Sequence, residues 1–356
     1  MGQKDAPRRR LIAVSSGARY PPGMTQPGSD TTGITHRYLQ AGSLRMHVAE
    51  AGQGPLVVLL HGFPESWYSW RHQLTALAEA GYHAVAPDQR GYCATGPVGD
   101  LADPATIGEY TMLHLTGDVI ALLDALGEET AVVVGHDWGA PVAWHTALFR
   151  PDRVRGVAGL SVPYRPRGSA PPIPTLRAAL GERFYMVYFQ QPGVADAELS
   201  RDPAATFRKV LFSLSGDAPS MGLIPSGGGF LDAAADPEQL PAWLTQGDID
   251  AYVRQYASSG FTGPLNWYRN LDRNWELTAA WQRAPIDVPA LFLAGERDPV
   301  ISFVRPDALA TALPRLTRSV ILPGCGHWTQ QERPETVNAE LITFLRTLGD
   351  TPPSRS

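Results

Sequence analysis

The chain has 356 residues, 44% hydrophobic and 18% charged, a balance that supports a core large enough to carry an inserted subdomain. Its formal net charge of -5, with acids and bases scattered along the sequence, leaves no basic stripe to neutralise a phosphate backbone, so nucleic acid is not expected as a partner. The apolar runs, residues 55–60 among them, fall far short of the ~20 residues a membrane-spanning helix requires, and no bilayer crossing is expected.

At the N-terminus, Arg8-Arg9-Arg10 precedes only Leu11-Ile12-Ala13-Val14, less than the roughly 7 to 15 apolar residues of a secretory segment, so export is not expected. Residues 1–33 are rich in Gly, Pro, Ser and Thr without periodicity and predict a mobile leader; residues 349–356 predict a tail. Cys93 and Cys325 form no Cys-x-x-Cys pair, which fits a reducing, cytoplasmic setting.

Residues 36–40 and 45–51 flank Ala41-Gly42-Ser43 and predict a hairpin. Residues 56–60, a continuous apolar run between turn residues, predict a strand covered on both faces. A helix over about 69–80, a strand over 83–87, an amphipathic helix over 113–126 ended by Gly127, a strand over 131–134, a helix over 140–149 and a strand over 154–160 follow. This alternation implies an α/β fold with a mostly parallel sheet and helices on both faces. It stops at Pro163, Pro166 and the Pro-rich segment 170–174, and strand-like runs return only at 290–294 and 319–322. The expected organisation is therefore a core of residues 34–161 and 285–348 around an inserted helical cap of residues 162–284.

Gly135-His136-Asp137-Trp138-Gly139 joins a Val-rich strand to a helical run, where a sharp turn is required. Flanking glycines let the backbones approach while the central side chain projects outward, as in a nucleophile elbow. Here the centre is a carboxylate. Attack by a carboxylate on an sp3 carbon gives an alkyl ester that water can cleave, so Asp137 is the expected nucleophile. Taken alone, Gly-x-Asp-x-Gly reads equally as a turn in which Asp137 caps the helix. What favours the nucleophile is the order of the neighbours. Asp298, in Gly295-Glu296-Arg297-Asp298-Pro299, and His327, in Gly324-Cys325-Gly326-His327-Trp328, each follow a predicted strand, giving nucleophile, acid and histidine in turn. His61-Gly62-Phe63-Pro64 ends the 56–60 strand, so the backbone N–H groups of Phe63 and Trp138 are the expected oxyanion donors.

Other groups receive plainer readings. His136 is expected to pack beneath the elbow. His72, His83, His114 and His145 lack metal-ligand spacing, no metal is expected, and Gly227-Gly228-Gly229 reads as a turn.

The segments HGFPESWYSWRHQ from His61, DQRGY from Asp88, GHDWGA from Gly135, SGFTGPLNWYRN from Ser259 and CGHWTQ from Cys325 resemble motifs of the epoxide hydrolases of the α/β-hydrolase fold. The resemblance covers about residues 36–346 and is similar to the hydrolase domain of soluble epoxide hydrolases. It implies the α/β-hydrolase fold with a cap, a small apolar epoxide and water as substrates, a vicinal diol as product, and no cofactor. It also implies that two cap tyrosines, Tyr185 and Tyr268, donate hydrogen bonds to the epoxide oxygen, with Phe63 and Trp138 completing the substrate contacts. Motif alignment favours Tyr185 over Tyr188. An alkoxide leaving group needs an acid, which a phenol can supply. One departure stands out: after DQRGY, where the family usually continues Gly-x-Ser, this chain has Cys93-Ala94-Thr95-Gly96, so the loop to Thr106 is expected to differ without loss of a catalytic group.

Haloalkane dehalogenases share the aspartate and the following tryptophan. They would be expected to place a side-chain donor, often Asn, at Phe63, and to lack the paired tyrosines. A fluoroacetate dehalogenase would carry arginine at Trp138. A non-catalytic ligand receptor on the same scaffold would tolerate loss of the triad, which is complete here.

Overall fold

A computed structural model describes residues 33–349 apart from residues 102, 220, 221, 304 and 305. The expected leader and tail, save Gly33 and Gly349, lie outside the described residues.

Strands β1 (Thr35–Ala41) and β2 (Leu44–Ala51) form an antiparallel hairpin closed by Ala41 opposite Leu44, so Gly42 and Ser43 alone make the turn. Next along the chain come β3 (Leu56–Leu60), β4 (His83–Pro87), β5 (Ala131–His136), β6 (Val154–Leu160), β7 (Ala290–Gly295) and β8 (Leu316–Leu322). Together they make an eight-stranded sheet in the order β1-β2-β4-β3-β5-β6-β7-β8. Every pairing from β4 to β8 is parallel, and β2 joins β4 antiparallel. Strand β8 begins three residues before the expected 319. Its first half is largely exposed at the sheet edge and is held by backbone pairing to β7, which leaves no apolar pattern to read.

Before the cap lie α1 (Arg71–Glu79), α2 (Met112–Leu126) and α3 (Gly139–Phe149). The helix expected from residue 69 is preceded by a 3-10 turn, Trp67–Trp70, in which Ser66 Oγ accepts from Tyr68 N–H at 3.2 Å. Helix α2 ends at Gly127 in the left-handed conformation (φ 77°), whose N–H reaches the Leu123 and Asp124 carbonyls.

Between β6 and β7 come α4 (Pro172–Leu180), α5 (Tyr185–Tyr188), α6 (Val194–Arg201), α7 (Pro203–Ser213), α8 (Gln246–Tyr256), α9 (Thr262–Arg269) and α10 (Leu271–Leu277), with no sheet strand among the described residues of this interval. The core resumes with α11 (Pro306–Ala312), α12 (Thr329–Glu332) and α13 (Pro334–Thr347).

All five residues of β3 are buried. Successive side chains point to opposite faces, so Leu56, Val58 and Leu60 join one apolar cluster, and Val57 and Leu59 the other. The first cluster takes in Leu115, Leu122 and Leu123 of α2 and Val142 and Trp144 of α3. The second takes in Leu74 and Leu77 of α1 and Leu341 and Phe344 of α13. Each such leucine withdrawn from water contributes about 1.5–3 kcal/mol. The two clusters thus cover the two faces of the sheet. Among the described residues, no helix is long and apolar enough to cross a membrane.

Candidate active site

The elbow is formed by β5 running directly into α3. Asp137 sits at its apex with φ 48°, in the left-handed region that costs a side-chain-bearing residue strain. A Cβ on Gly135 would collide with the Gly139 backbone, and one on Gly139 with the Leu60 backbone. This packing is why the sequence needs glycine on both sides of the turn.

The loops after β7 and β8 bring the other two members of the triad to the same edge. His327 Nδ1 donates to Asp298 Oδ2 at 2.9 Å, and His327 Nε2 lies 3.3 Å from Asp137 Oδ2. Asp298 Oδ1 accepts the Val300 N–H at 2.9 Å, which leaves its other oxygen for the histidine. Both His327 and Asp298 are 2% exposed. Burial alone would raise the Asp137 carboxyl, but the hydrogen bond and charge of His327, with smaller help from His136 and the Phe63 N–H, bring it below its ordinary value. Burial alone would lower His327, yet the Asp298 charge and hydrogen bonds to both carboxylates hold it well above its ordinary value. Both shifts favour an ionised Asp137 facing a protonated His327.

Of the two expected oxyanion donors, Phe63 N–H reaches Asp137 Oδ1 at 2.7 Å. Trp138 follows Asp137 and caps the start of α3. Tyr268, on α9, presents its ring edge to Trp138 at 5.0 Å and to Phe63 at 5.5 Å. Tyr185, at the start of α5, lies 6.1 Å from it, ring centre to ring centre. Burial first, then the negative charge of Asp137, raises both phenols above their ordinary value. Each therefore stays protonated and able to donate. Tyr188 instead donates to Glu198 at 2.8 Å. The expected residues Asp137, Asp298, His327, Phe63, Trp138, Tyr185 and Tyr268 thus converge from the core and from α5 and α9.

Sequence reasoning missed Glu65. Its fully buried carboxylate accepts Gly62 N–H at 3.0 Å and His136 Nδ1–H at 2.7 Å on one oxygen, and the Gln330 and Gln331 amides, each at 3.0 Å, on the other. Burial would raise this carboxyl, but the charge and hydrogen bond of His136, the Gly62 N–H and the His61 charge bring it below its ordinary value. His136 does lie buried beneath the elbow as expected, and its Nε2–H also donates to the His327 carbonyl at 2.7 Å, beside Ser161 Oγ at 2.6 Å. This network fixes the backbone of the catalytic loops. The place of Glu65 in the segment HGFPESWYSWRHQ was the one signal in the sequence, and nothing local linked it to His136.

The departing loop is pinned to α9 and to the turn before it. Cys93, at φ 46°, donates its N–H to Ser259 Oγ at 3.0 Å, and Trp267 Nε1–H reaches the Arg90 carbonyl at 3.0 Å. Among the described residues, no group of three or more His, Cys, Asp or Glu side chains could hold a metal ion.

This sheet, elbow and triad define an α/β hydrolase, and the model of that family, described as alpha/beta hydrolase fold, matches residues 55–334. Epoxide hydrolase A of Mycobacterium tuberculosis (strain ATCC 25618 / H37Rv) is 49% identical over 87% of this chain and 97% of its own. The crystal structure of epoxide hydrolase A from Mycobacterium thermoresistibile is 50% identical, with a TM-score of 0.82 over 88% of this chain and 98% of that one. Bifunctional epoxide hydrolase 2 of Rattus norvegicus is 38% identical over 95% of this chain and 60% of its own. The chain belongs to the epoxide hydrolases of the α/β-hydrolase fold.

Proposed function

We propose that Asp137 attacks an epoxide carbon through Oδ2 while Tyr185 and Tyr268 donate to the epoxide oxygen. The C–O bond of the ring breaks, an ester forms on Asp137, and the departing oxygen takes a phenol proton. Esterification removes the charge of Asp137, one of the two negative groups that hold the proton on His327. His327 can then release its proton to restore the phenol, and becomes a neutral base.

In the second step His327 takes a proton from water as the water oxygen adds to the Asp137 carbonyl carbon. The oxyanion that forms meets the backbone N–H of Phe63, already 2.7 Å from Oδ1, and that of Trp138. Collapse expels the diol oxygen with a proton from the added hydroxyl and leaves Asp137 ionised and His327 protonated, as at the start. Asp298 orients the imidazole and stabilises its cation.

The observation that carries this reading is the line Asp137–His327–Asp298, with Tyr268 packed against Phe63 and Trp138 beside it and Tyr185 next to Tyr268. The aromatic surround, including Phe63, Trp138 and Phe189, favours a small apolar epoxide, and we take residues 162–284 as the cap that encloses it. A cytoplasmic setting belongs to the same reading, supported by the two free cysteines.

Repeated turnover of an aryl or alkyl epoxide in 18O-labelled water tests the assignment. Label should enter the peptide containing Asp137, because one of its oxygens is replaced in each cycle. Diol formed without label in that peptide would overturn the role of Asp137, and halide release from haloalkanes without any diol would replace the reaction.

A further inference from the structure

Helix α5, which carries Tyr185, is a single turn of four residues. A helix this short has no stability of its own, so its orientation is set by what holds it. One hold is Glu198 on α6. Glu198 Oε2 accepts the Tyr188 hydroxyl at 2.8 Å and the Phe230 N–H at 3.1 Å, and Oε1 accepts the Leu231 N–H at 2.8 Å. Tyr188 stands three residues after Tyr185, one turn along the same helix. Phe230 is 4% exposed, with its ring 4.9 Å from Phe189 and 6.2 Å from Tyr185. A Cβ on Gly229 would collide with the Glu198 carboxylate, so the turn is built around this side chain.

The same helix grips the other tyrosine. Asp196 of α6 pairs with Arg269, the neighbour of Tyr268, and Arg269 Nε–H also reaches the Phe189 carbonyl at 3.2 Å. Helix α6 thus touches both tyrosine-bearing helices through carboxylates, with Glu198 serving the Tyr185 side.

We propose that Glu198 is a positioning residue for epoxide opening: through Tyr188 and the Phe230 turn it fixes the direction in which Tyr185 presents its hydroxyl. It touches neither substrate nor triad. The proposal rests on the reading of Tyr185 as an acid, and it assigns Glu198 an effect on the first half-reaction alone. Ester hydrolysis depends on His327, Asp298 and the Phe63 N–H, none of which contacts α6 in this network.

The test is rapid-quench kinetics with whichever of styrene oxide, trans-stilbene oxide or 1,2-epoxyoctane the parent opens fastest, following ester formation and ester decay separately. Glu198→Ala should slow ester formation by about 5- to 50-fold, the scale of a sub-ångström misplacement, and leave ester decay at the parental rate. Tyr188→Phe, which keeps the ring and removes only the bond to Glu198, should show a smaller effect of the same kind and carries the test if Glu198→Ala does not fold. In a Tyr185→Phe background either substitution should add less than about twofold, because the group being positioned is gone. Equal slowing of both half-reactions, multiplicative effects in the double variants, or a parental rate of ester formation in the single variants would each overturn the proposal. If Tyr185→Phe itself forms ester at the parental rate, it is the acid reading of Tyr185 that fails.

Discussion

His327 Nε2 stands 3.3 Å from Asp137 Oδ2, so the base we propose for the second step rests against the nucleophile we propose for the first. The two steps are separable at this contact. His327→Gln should allow ester formation and reduce steady-state turnover by on the order of 10³-fold, since general base assistance is removed. Intact mass after mixing with epoxide should show one substrate mass added to the protein. Turnover at the parental rate, with no adduct, would exclude His327 as the base.

The pH dependence of the two steps should differ. Ester formation needs ionised Asp137 and protonated phenols; the carboxyl is lowered and both phenols are raised, so this rate should be flat between about pH 5 and 9. Ester decay needs neutral His327, so its rate should fall as pH drops through the histidine's pKa in the ester form. That pKa should lie below its value in the free enzyme, where the Asp137 charge helps hold the proton. Stopped-flow rates across this range would decide, and a common profile for both steps would contradict the argument.

Replacing one cap phenol should be milder than replacing both. Tyr268→Phe and Tyr185→Phe are each expected to slow ester formation by about 10- to 100-fold, and the double variant by more than either. A double variant with parental ester formation would rule out acid assistance from the cap.

Glu65→Ala should destabilise the protein strongly. It strips His136, Gly62 and two glutamine amides of a shared buried acceptor, and each donor left unsatisfied costs about 1–3 kcal/mol. Urea unfolding monitored by tryptophan fluorescence measures it. An unchanged midpoint would mean that the network contributes little.

The sequence by itself determined the parallel sheet, the elbow and the order of the triad. Each rests on local signals: the unbroken apolar run at 56–60, the glycines around Asp137, and Asp298 and His327 following strand-like runs. Tyr268 and Tyr185 were legible only through resemblance, because a tyrosine in an aromatic-rich helix carries no local mark of its role. Tertiary structure alone decided the rest. The first half of β8 has no apolar pattern and is specified by its partner β7. Motif alignment favours Tyr185 over Tyr188 without a physical reason, and packing supplies one: a carboxylate on α6 takes the hydroxyl of Tyr188, while Tyr185 faces Tyr268. Glu65 meets His136 and Gln330 across separations of 71 and 265 residues, and the proton affinity of His327 is set by Asp298, 29 residues away, and by Asp137 on another loop. Short-range periodicity reports which face of an element is buried. It carries no information about which buried polar groups will meet, because that depends on packing between elements.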